Sequence, residues 1–384
     1  MKYVMLFCHG LADEPVADLG GRTPFELAKT PNLDRMAKEG CMGLASFVPN
    51  TIAVSPDAAC FSILGYDPQE FYTGLAPLDA LALGVPQSDS AVAFRADLVT
   101  VFDETLQDAT AGHISSKEAQ PLLARLSRLI STDRMKLSAG EGYKNILVVS
   151  DDALADDLDD LETTAPSRLV GQNFTKGLPK GRSESVISSL MKKSKEVLDD
   201  QEINRVRIDL KENPANMLWM WGQGRKPQLP PFRERHGLSG AAVSGEDFVK
   251  GLGIAVGFSH AENVRSALKK ADFVFVYSAP AAPSTELKVR VKRIEDFDQE
   301  VGEALRALEG AGDVRVCAGT DSVFAATQDR PASHAQTPFV VWGAGVEPSG
   351  AAGFSEKTAA LSRIVLGEAR QLINRFIAKG KFAT

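Results

Sequence analysis

The chain predicts an α/β fold with a mostly parallel sheet, and three features of its sequence carry that prediction. Apolar runs of strand length recur at 3–8, 272–277, 314–318 and 338–342. Helical phase lies between them, clearest at 291–308, where Ile294, Phe297, Val301 and Leu305 share a face. The first apolar run leads through a glycine turn into a helix, and that order of elements is what a layered α/β sheet produces.

The elements follow in order. Residues 3–8 (YVMLFC) read as a short, fully buried strand that His9-Gly10 ends. Pro24 and Pro31 flank a helix start, and over 32–40 Asn32 reads as the N-cap, with Leu33, Met36 and Ala37 apolar and Gly40 closing. Residues 91–101 alternate as a strand, 115–131 fit a helix with Leu122, Leu123, Leu126 and Ile130 on one face, and 146–150 read as another strand. The run Asp151 to Glu162 is acidic but lacks the spacing of a calcium loop, so it reads as a solvated loop. A helix is expected at 185–199. An ordered connector rich in Trp, Pro and Gly is expected at 213–232, and a strand, a turn and a helix within 239–257.

Composition limits the function classes. With 384 residues the prior is two to three domains, and a chain of this size can bury a full core. The net charge of −7 gives no broad positive field, so nucleic acid and anionic membrane surfaces are not expected partners. Cys8, Cys41, Cys60 and Cys317 form no CxxC pair, and the apolar flanks of Cys8, Cys60 and Cys317 read as those of buried free thiols, which suits a reducing cytoplasm. Tyr3–Cys8 is too short for a signal h-region, and no apolar stretch reaches membrane-spanning length.

Seven segments then resemble one family. They are HGLADEP (9–15), LGGRTPFELAKTPNLDRMAKEG (19–40), SILGYDPQEFYTG (62–74), FRADLVTV (94–101), AGHISSKEA (111–119), NPANMLWMWGQGRKPQLP (213–230) and RIEDFD (293–298). In this order they resemble the archaeal-type, cofactor-independent phosphoglycerate mutases of the alkaline phosphatase superfamily. The chain looks closest to bacterial members labelled proposed homoserine kinases. The resemblance implies an alkaline-phosphatase-like, doubly wound α/β/α core from 1–85 and 238–384. It also implies an inserted α/β domain at 86–237 that closes over substrate, with the pocket in the cleft. It further implies phosphoryl transfer through a phosphoserine, with two divalent metals such as Mn²⁺ neutralising the phosphate oxygens.

The positions that carry this chemistry depart together. The leading Asp of the first-strand motif is His9 here, while Gly10 and Asp13 match. Counted back from Gly65, the family's Ser-Asp falls on Pro56-Asp57, and proline has no hydroxyl; Ser55, one place early, is a displaced nucleophile candidate or a helix cap. A phosphate-contacting Arg is Leu75. The stretch SAPAAPSTEL at 278–287 lacks the Asp and His ligands the family places there. In AGTDSVF (318–324) Asp321 has no adjoining His, and His334 stands closer to Pro338 than the family's late His does. His9, Asp57, Asp321 and His334 are the vestigial metal-ligand candidates. Arg95, Asp97 and His113 match the family in the inserted domain and are the ligand-binding candidates, Arg95 as an anion contact or as half of a structural pair.

Three readings stay open at this point. The chain is a catalytically impaired relative that acts in ligand binding, regulation or assembly, with no cofactor. It is a divergent metal-dependent mutase or phosphatase with a rebuilt site. Or it is a non-catalytic subunit that pairs with an active relative. The expected partners are a phosphorylated or anionic small molecule and a second copy or paralogue of the chain.

Overall fold

The computed structural model of the chain describes residues 1–279, 286–323, 333–378 and 380–383. The chain divides into two compact units, one built from 1–72 with 229–384 and the other from 73–228.

Among the described residues the first unit carries an eight-stranded sheet. Its order is Val365–Leu366, Cys41–Ala45, Thr337–Gly343, Val314–Thr320, Lys2–Cys8, Phe273–Ser278, Gly240–Val243, Ser259–His260. Five of its seven pairings are parallel; Thr337–Gly343 runs against both of its neighbours. The first strand shows why the sheet sits at the centre. Six of its seven residues are buried, because both faces are covered. Val4, Leu6 and Cys8 pack with Leu33 and Met36 of the helix Pro31–Glu39 and with Ile294, Phe297 and Val301 of the helix Leu287–Ala307. Tyr3 and Phe7 face the other way, where their rings meet Phe376 at 5.6 Å and Phe47 at 5.1 Å. This is the mixed α/β architecture that the apolar runs and helical phases predict.

The helix Pro31–Glu39 starts two residues earlier than an N-cap at Asn32 would place it, and it is capped from outside. Pro31 occupies the first turn, where its missing N–H costs nothing. Thr30, at the cap position, makes no side-chain cap bond. The buried carboxylate of Asp298, on the helix Leu287–Ala307, accepts instead from the Leu33 N–H at 2.8 Å, the Asn32 N–H at 3.3 Å and the Asn32 side-chain amide at 2.8 Å. Asn32 is therefore not the cap; it helps to hold the carboxylate that is.

The second unit is built on an antiparallel sheet. The strand Val92–Phe102 pairs along its length with Met217–Arg225, with Asn145–Val149 at one end and with Thr105–Asp108 at the other. Met135–Ala139 extends the sheet beyond Asn145–Val149. The helices Ser116–Ile130 and Glu184–Leu198 contribute Leu122, Leu126, Ile187 and Met191 to its core. Two expectations are corrected here. The connector at 213–232 contains the strand Met217–Arg225, and the acidic loop at 151–162 contains the short helix Ala155–Asp159. The strand reads poorly because Gly222 and Gly224 interrupt it. They are required because Gly222 takes φ +62° and a side chain on Gly224 would strike the Thr73 carbonyl.

Replacing Asp298 with Ala leaves the buried Leu33 N–H without an acceptor. We expect a loss of about 2 kcal/mol of stability, read as a lower urea midpoint at unchanged slope for the transition of this unit.

Candidate functional site

The carboxyl ends of three neighbouring parallel strands, Lys2–Cys8, Phe273–Ser278 and Val314–Thr320, bring His9, Tyr277 and Asp321 together. Open α/β sheets place ligands at this edge. The His9 N–H donates to the Ser278 carbonyl at 2.9 Å, which fixes the turn. The His9 Nδ1 lies 2.9 Å from Asp321 Oδ1 and 3.1 Å from Oδ2. Asp321 also accepts from the Tyr277 hydroxyl at 2.5 Å, the Ser322 hydroxyl at 2.9 Å and the Gly10 N–H at 3.2 Å. Burial alone would lower the His9 imidazole, but Asp321, with further negative field from Asp57 and Glu246, reverses this and raises it. Burial, with Asp321 alongside, pushes the Tyr277 hydroxyl well up, so Tyr277 stays a donor.

Ser55 sits at the N-cap of the helix Pro56–Ile63, and its hydroxyl accepts from the Ala58 N–H at 3.4 Å. Pro56 takes the first helical position, and its carbonyl oxygen lies 3.3 Å from the Tyr277 hydroxyl. Asp57 is buried and accepts a hydrogen bond from Tyr72. His334 turns Nδ1 to the Val48 carbonyl at 3.1 Å. Of the four metal-ligand candidates, only His9 and Asp321 are in contact; Asp57 reaches His9 through its field, and His334 is bonded to the backbone. Residues 280–285 of the stretch SAPAAPSTEL lie outside the described residues, as does Phe324 at the end of AGTDSVF.

A second buried pair adjoins the first-strand loop, and sequence reasoning missed it. Arg290 donates from Nη1 to Asp13 Oδ2, and the Glu14 N–H donates to Asp13 Oδ1 at 2.8 Å. The Asp13 N–H donates to Glu356 Oε1 at 3.0 Å, and the Thr23 hydroxyl donates to Glu356 Oε2 at 2.7 Å. Burial raises the Glu356 carboxyl against these bonds. A signal was present: Arg290 stands four residues before Ile294, in the phase of the helix's apolar face.

The ligand-binding candidates lie in the second unit. Arg95 is buried and donates to Asp79 Oδ2 at 2.7 Å and to Asp97 from Nε at 3.1 Å and Nη2 at 2.9 Å. The Trp221 indole N–H donates to Asp97 at 2.8 Å, and its ring lies 5.4 Å from the guanidinium carbon. Burial would lower the Arg95 guanidinium, but Asp97 and Asp79 outweigh it and hold it up. Its nitrogens are therefore directed at two carboxylates. His113 is exposed, at φ +52°, in a turn built around Asp108, which accepts from the Thr110 and Gly112 N–H groups. Its ring packs edge-on against Tyr143 at 6.3 Å.

Comparison with known proteins gives this geometry a family. Residues 37–204 match the model described as 2,3-bisphosphoglycerate-independent phosphoglycerate mutase. The mutase of that name from Methanothrix thermoacetophila is 36% identical over 98% of this chain and 100% of its own length. That from Methanosarcina barkeri is 37% identical over 78% of this chain and 80% of its own. The chain belongs to the 2,3-bisphosphoglycerate-independent phosphoglycerate mutase family. The solved cofactor-independent phosphoglycerate mutase from Thermoplasma acidophilum aligns with a TM-score of 0.59 at 25% identity, over 98% of this chain and 99% of that one. The PH0037 protein of Pyrococcus horikoshii shares the fold at TM-score 0.77 and 23% identity, over 98% and 96% of the two chains. The homoserine-kinase likeness finds no support in these matches.

Among the described residues, the candidate ligands do not make a site for the divalent metals that the family implies. A metal centre needs carboxylates and imidazoles whose lone pairs converge on one point. Here Asp321 takes four protein donors, Asp13 takes Arg290 and a backbone N–H, and Asp57 takes Tyr72. Among the described residues, no group of three or more His, Cys, Asp and Glu side chains is placed to hold a metal ion. No helix among them is long and apolar enough to cross a membrane.

Replacing Arg95 with Met removes the guanidinium that two buried carboxylates share. We expect a cost of about 3–5 kcal/mol, read by chemical denaturation of the full chain.

Proposed function

We propose that this chain is a member of the phosphoglycerate mutase family that does not catalyse phosphoryl transfer and acts through binding, in regulation or assembly. Phosphoryl transfer asks a protein for positioning and charge neutralisation at the transferred group. The observation that carries the reading is the state of Asp321: both of its oxygens are engaged by donors from within the chain, His9, Tyr277, Ser322 and the Gly10 N–H. The nucleophile position supports it. The register from Gly65 puts Pro56 where the family has its serine, and the Ser55 hydroxyl caps a helix. Several parts of the machinery depart at once, whereas a mutase needs all of them together.

The relatives are named for a phosphoglycerate, and a phosphorylated small acid is the ligand class this reading assigns to the fold. A cytoplasmic setting fits the four free cysteines, all buried.

A coupled assay for conversion of 3-phosphoglycerate to 2-phosphoglycerate tests the proposal. It is run with Mn²⁺ present and an intact family enzyme as positive control. The expected result is no turnover above the no-enzyme background. Turnover that disappears in Ser55→Ala would overturn the proposal and make Ser55 the nucleophile.

A further inference from the structure

A cavity of about 910 Å³ lies within the first unit, at the carboxyl ends of the strands Gly240–Val243 and Phe273–Ser278. Small-molecule sites run from roughly 300 to 1,000 Å³. The floor of the cavity is the sheet. Leu6, Val276 and Val243 line it, and they are register partners on three adjacent strands, so they share one face. In a parallel sheet covered on both faces such side chains are enclosed. Leu6 is, but Val276 and Val243 are only half-buried. Beside them the covering layer is reduced to the five-residue helix Val264–Leu268.

One wall is the helix Leu287–Ala307. Glu300, Glu303, Ala304 and Ala307 stand there at i, i+3, i+4 and i+7, which is one helical face. The alanines are small and leave the space open, and the other two positions carry carboxylates. Glu300 accepts from the Ser278 hydroxyl at 3.3 Å, and among the described residues neither Glu300 nor Glu303 is in an ion pair. Burial raises the Glu300 carboxyl, the Ser278 hydroxyl works against it, and Glu303 and Asp296 add negative field. No cation stands among these influences. Arg265, on the helix Val264–Leu268, also lines the cavity. Two carboxylates above an apolar floor, with no cation set against them, are complementary to an ammonium group on an apolar body.

We propose that this cavity binds an organic ammonium compound, with its apolar body on Leu6, Val243 and Val276 and its charged nitrogen held by Glu300 and Glu303. His9 and Asp321 do not line the cavity, so the site is separate from the one built on them. The ammonium belongs either to a simple amine or to an amino acid whose carboxylate meets Arg265, and the test separates the two.

Binding of four probes to the full chain is measured by ligand-observed NMR titration: phenethylamine, ethylamine, phenylalanine and 3-phenylpropanoate. Phenethylamine is expected to bind saturably and roughly tenfold or more tighter than ethylamine, because only its ring reaches the apolar floor. The propanoate, which lacks the ammonium, is expected to bind at least about tenfold more weakly than phenethylamine. The double variant Glu300→Gln with Glu303→Gln should lose about tenfold in phenethylamine affinity, with circular dichroism confirming that it folds. Ala307→Phe should weaken phenethylamine binding by filling the cavity; if that variant fails to fold, the glutamine variant decides. Phenylalanine that binds tighter than phenethylamine, and loses this advantage in Arg265→Ala, supports the site in its amino-acid form. Phenethylamine that binds tighter supports it in its simple-amine form. No saturable phenethylamine binding up to about 10 mM overturns the inference, as does an affinity unchanged in the glutamine variant or a propanoate that binds as well as the amine. None of these readings involves mutase turnover, so the ammonium site and the proposed function stand or fall separately.

Discussion

Every buried carboxylate among the described residues must meet a counter-charge or hydrogen-bond donors, and that requirement organises both units. The buried acidic side chains among the described residues are Asp13, Asp57, Asp79, Asp97, Asp298 and Asp321. Each has a protein partner: Arg290 for Asp13, Tyr72 for Asp57, Arg95 for Asp79 and Asp97, the Leu33 and Asn32 N–H groups for Asp298, and His9 with Tyr277 for Asp321. Leaving any one unpaired in a low-dielectric interior would cost several kcal/mol, about as much as a large share of a domain's net stability. These pairs therefore tie together segments far apart in the chain, and the hydrophobic layers position them to do so.

The positioning comes from the sheet. A parallel strand covered on both faces has little freedom to shift, since a one-residue slip would exchange Val4 and Leu6 with Tyr3 and Phe7 between two differently shaped helical layers. With Lys2–Cys8, Phe273–Ser278 and Val314–Thr320 fixed in register, the residues just past their ends are fixed too. His9 and Asp321 meet at 2.9 Å because Cys8 and Thr320 are paired neighbours, and Tyr277 joins them from the other side because Phe7 is paired with it. The second unit shows the same logic in an antiparallel setting. Arg95 and Asp97 lie two apart on the strand Val92–Phe102 and so point to one face, where Trp221 of the paired strand closes over them.

What could be read from the sequence follows from how local its causes are. The strands at 3–8, 272–277, 314–318 and 338–342 are legible because double-sided burial writes a continuous apolar run. The strand Met217–Arg225 is not, because Gly222 and Gly224 break off its apolar run after Trp221. The helix Pro31–Glu39 is legible from Pro31 and its apolar face, but its cap is not, since Asp298 lies more than 260 residues away. In the site, Pro56 is legible as the position to which the resemblance, counted back from Gly65, assigns the family's serine. His9, Asp57, Asp321 and His334 are visible as residue types, but only the folded chain shows that His9 and Asp321 are partners and that His334 is turned to the Val48 carbonyl. Arg290 was the most readable of the missed residues: a charge in the apolar phase of a helix requires a buried partner, although the phase does not name Asp13.

The two ways of neutralising a carboxylate have different chemical consequences. A bound metal can leave coordination positions open, so it can share its charge between a protein carboxylate and the oxygens of an incoming phosphate. A hydrogen-bond donor aimed into a carboxylate has its direction already committed. Asp321 takes its donors from four groups of the chain, and Arg290 is directed at Asp13. Charges balanced in this way stabilise the folded unit but do not become available to a transition state. A transferred phosphoryl group would have to break those bonds before using the same donors, so stability and phosphoryl transfer compete for them. The structure satisfies the first demand at both Asp13 and Asp321, and that competition is the physical argument behind the proposal of a binding role.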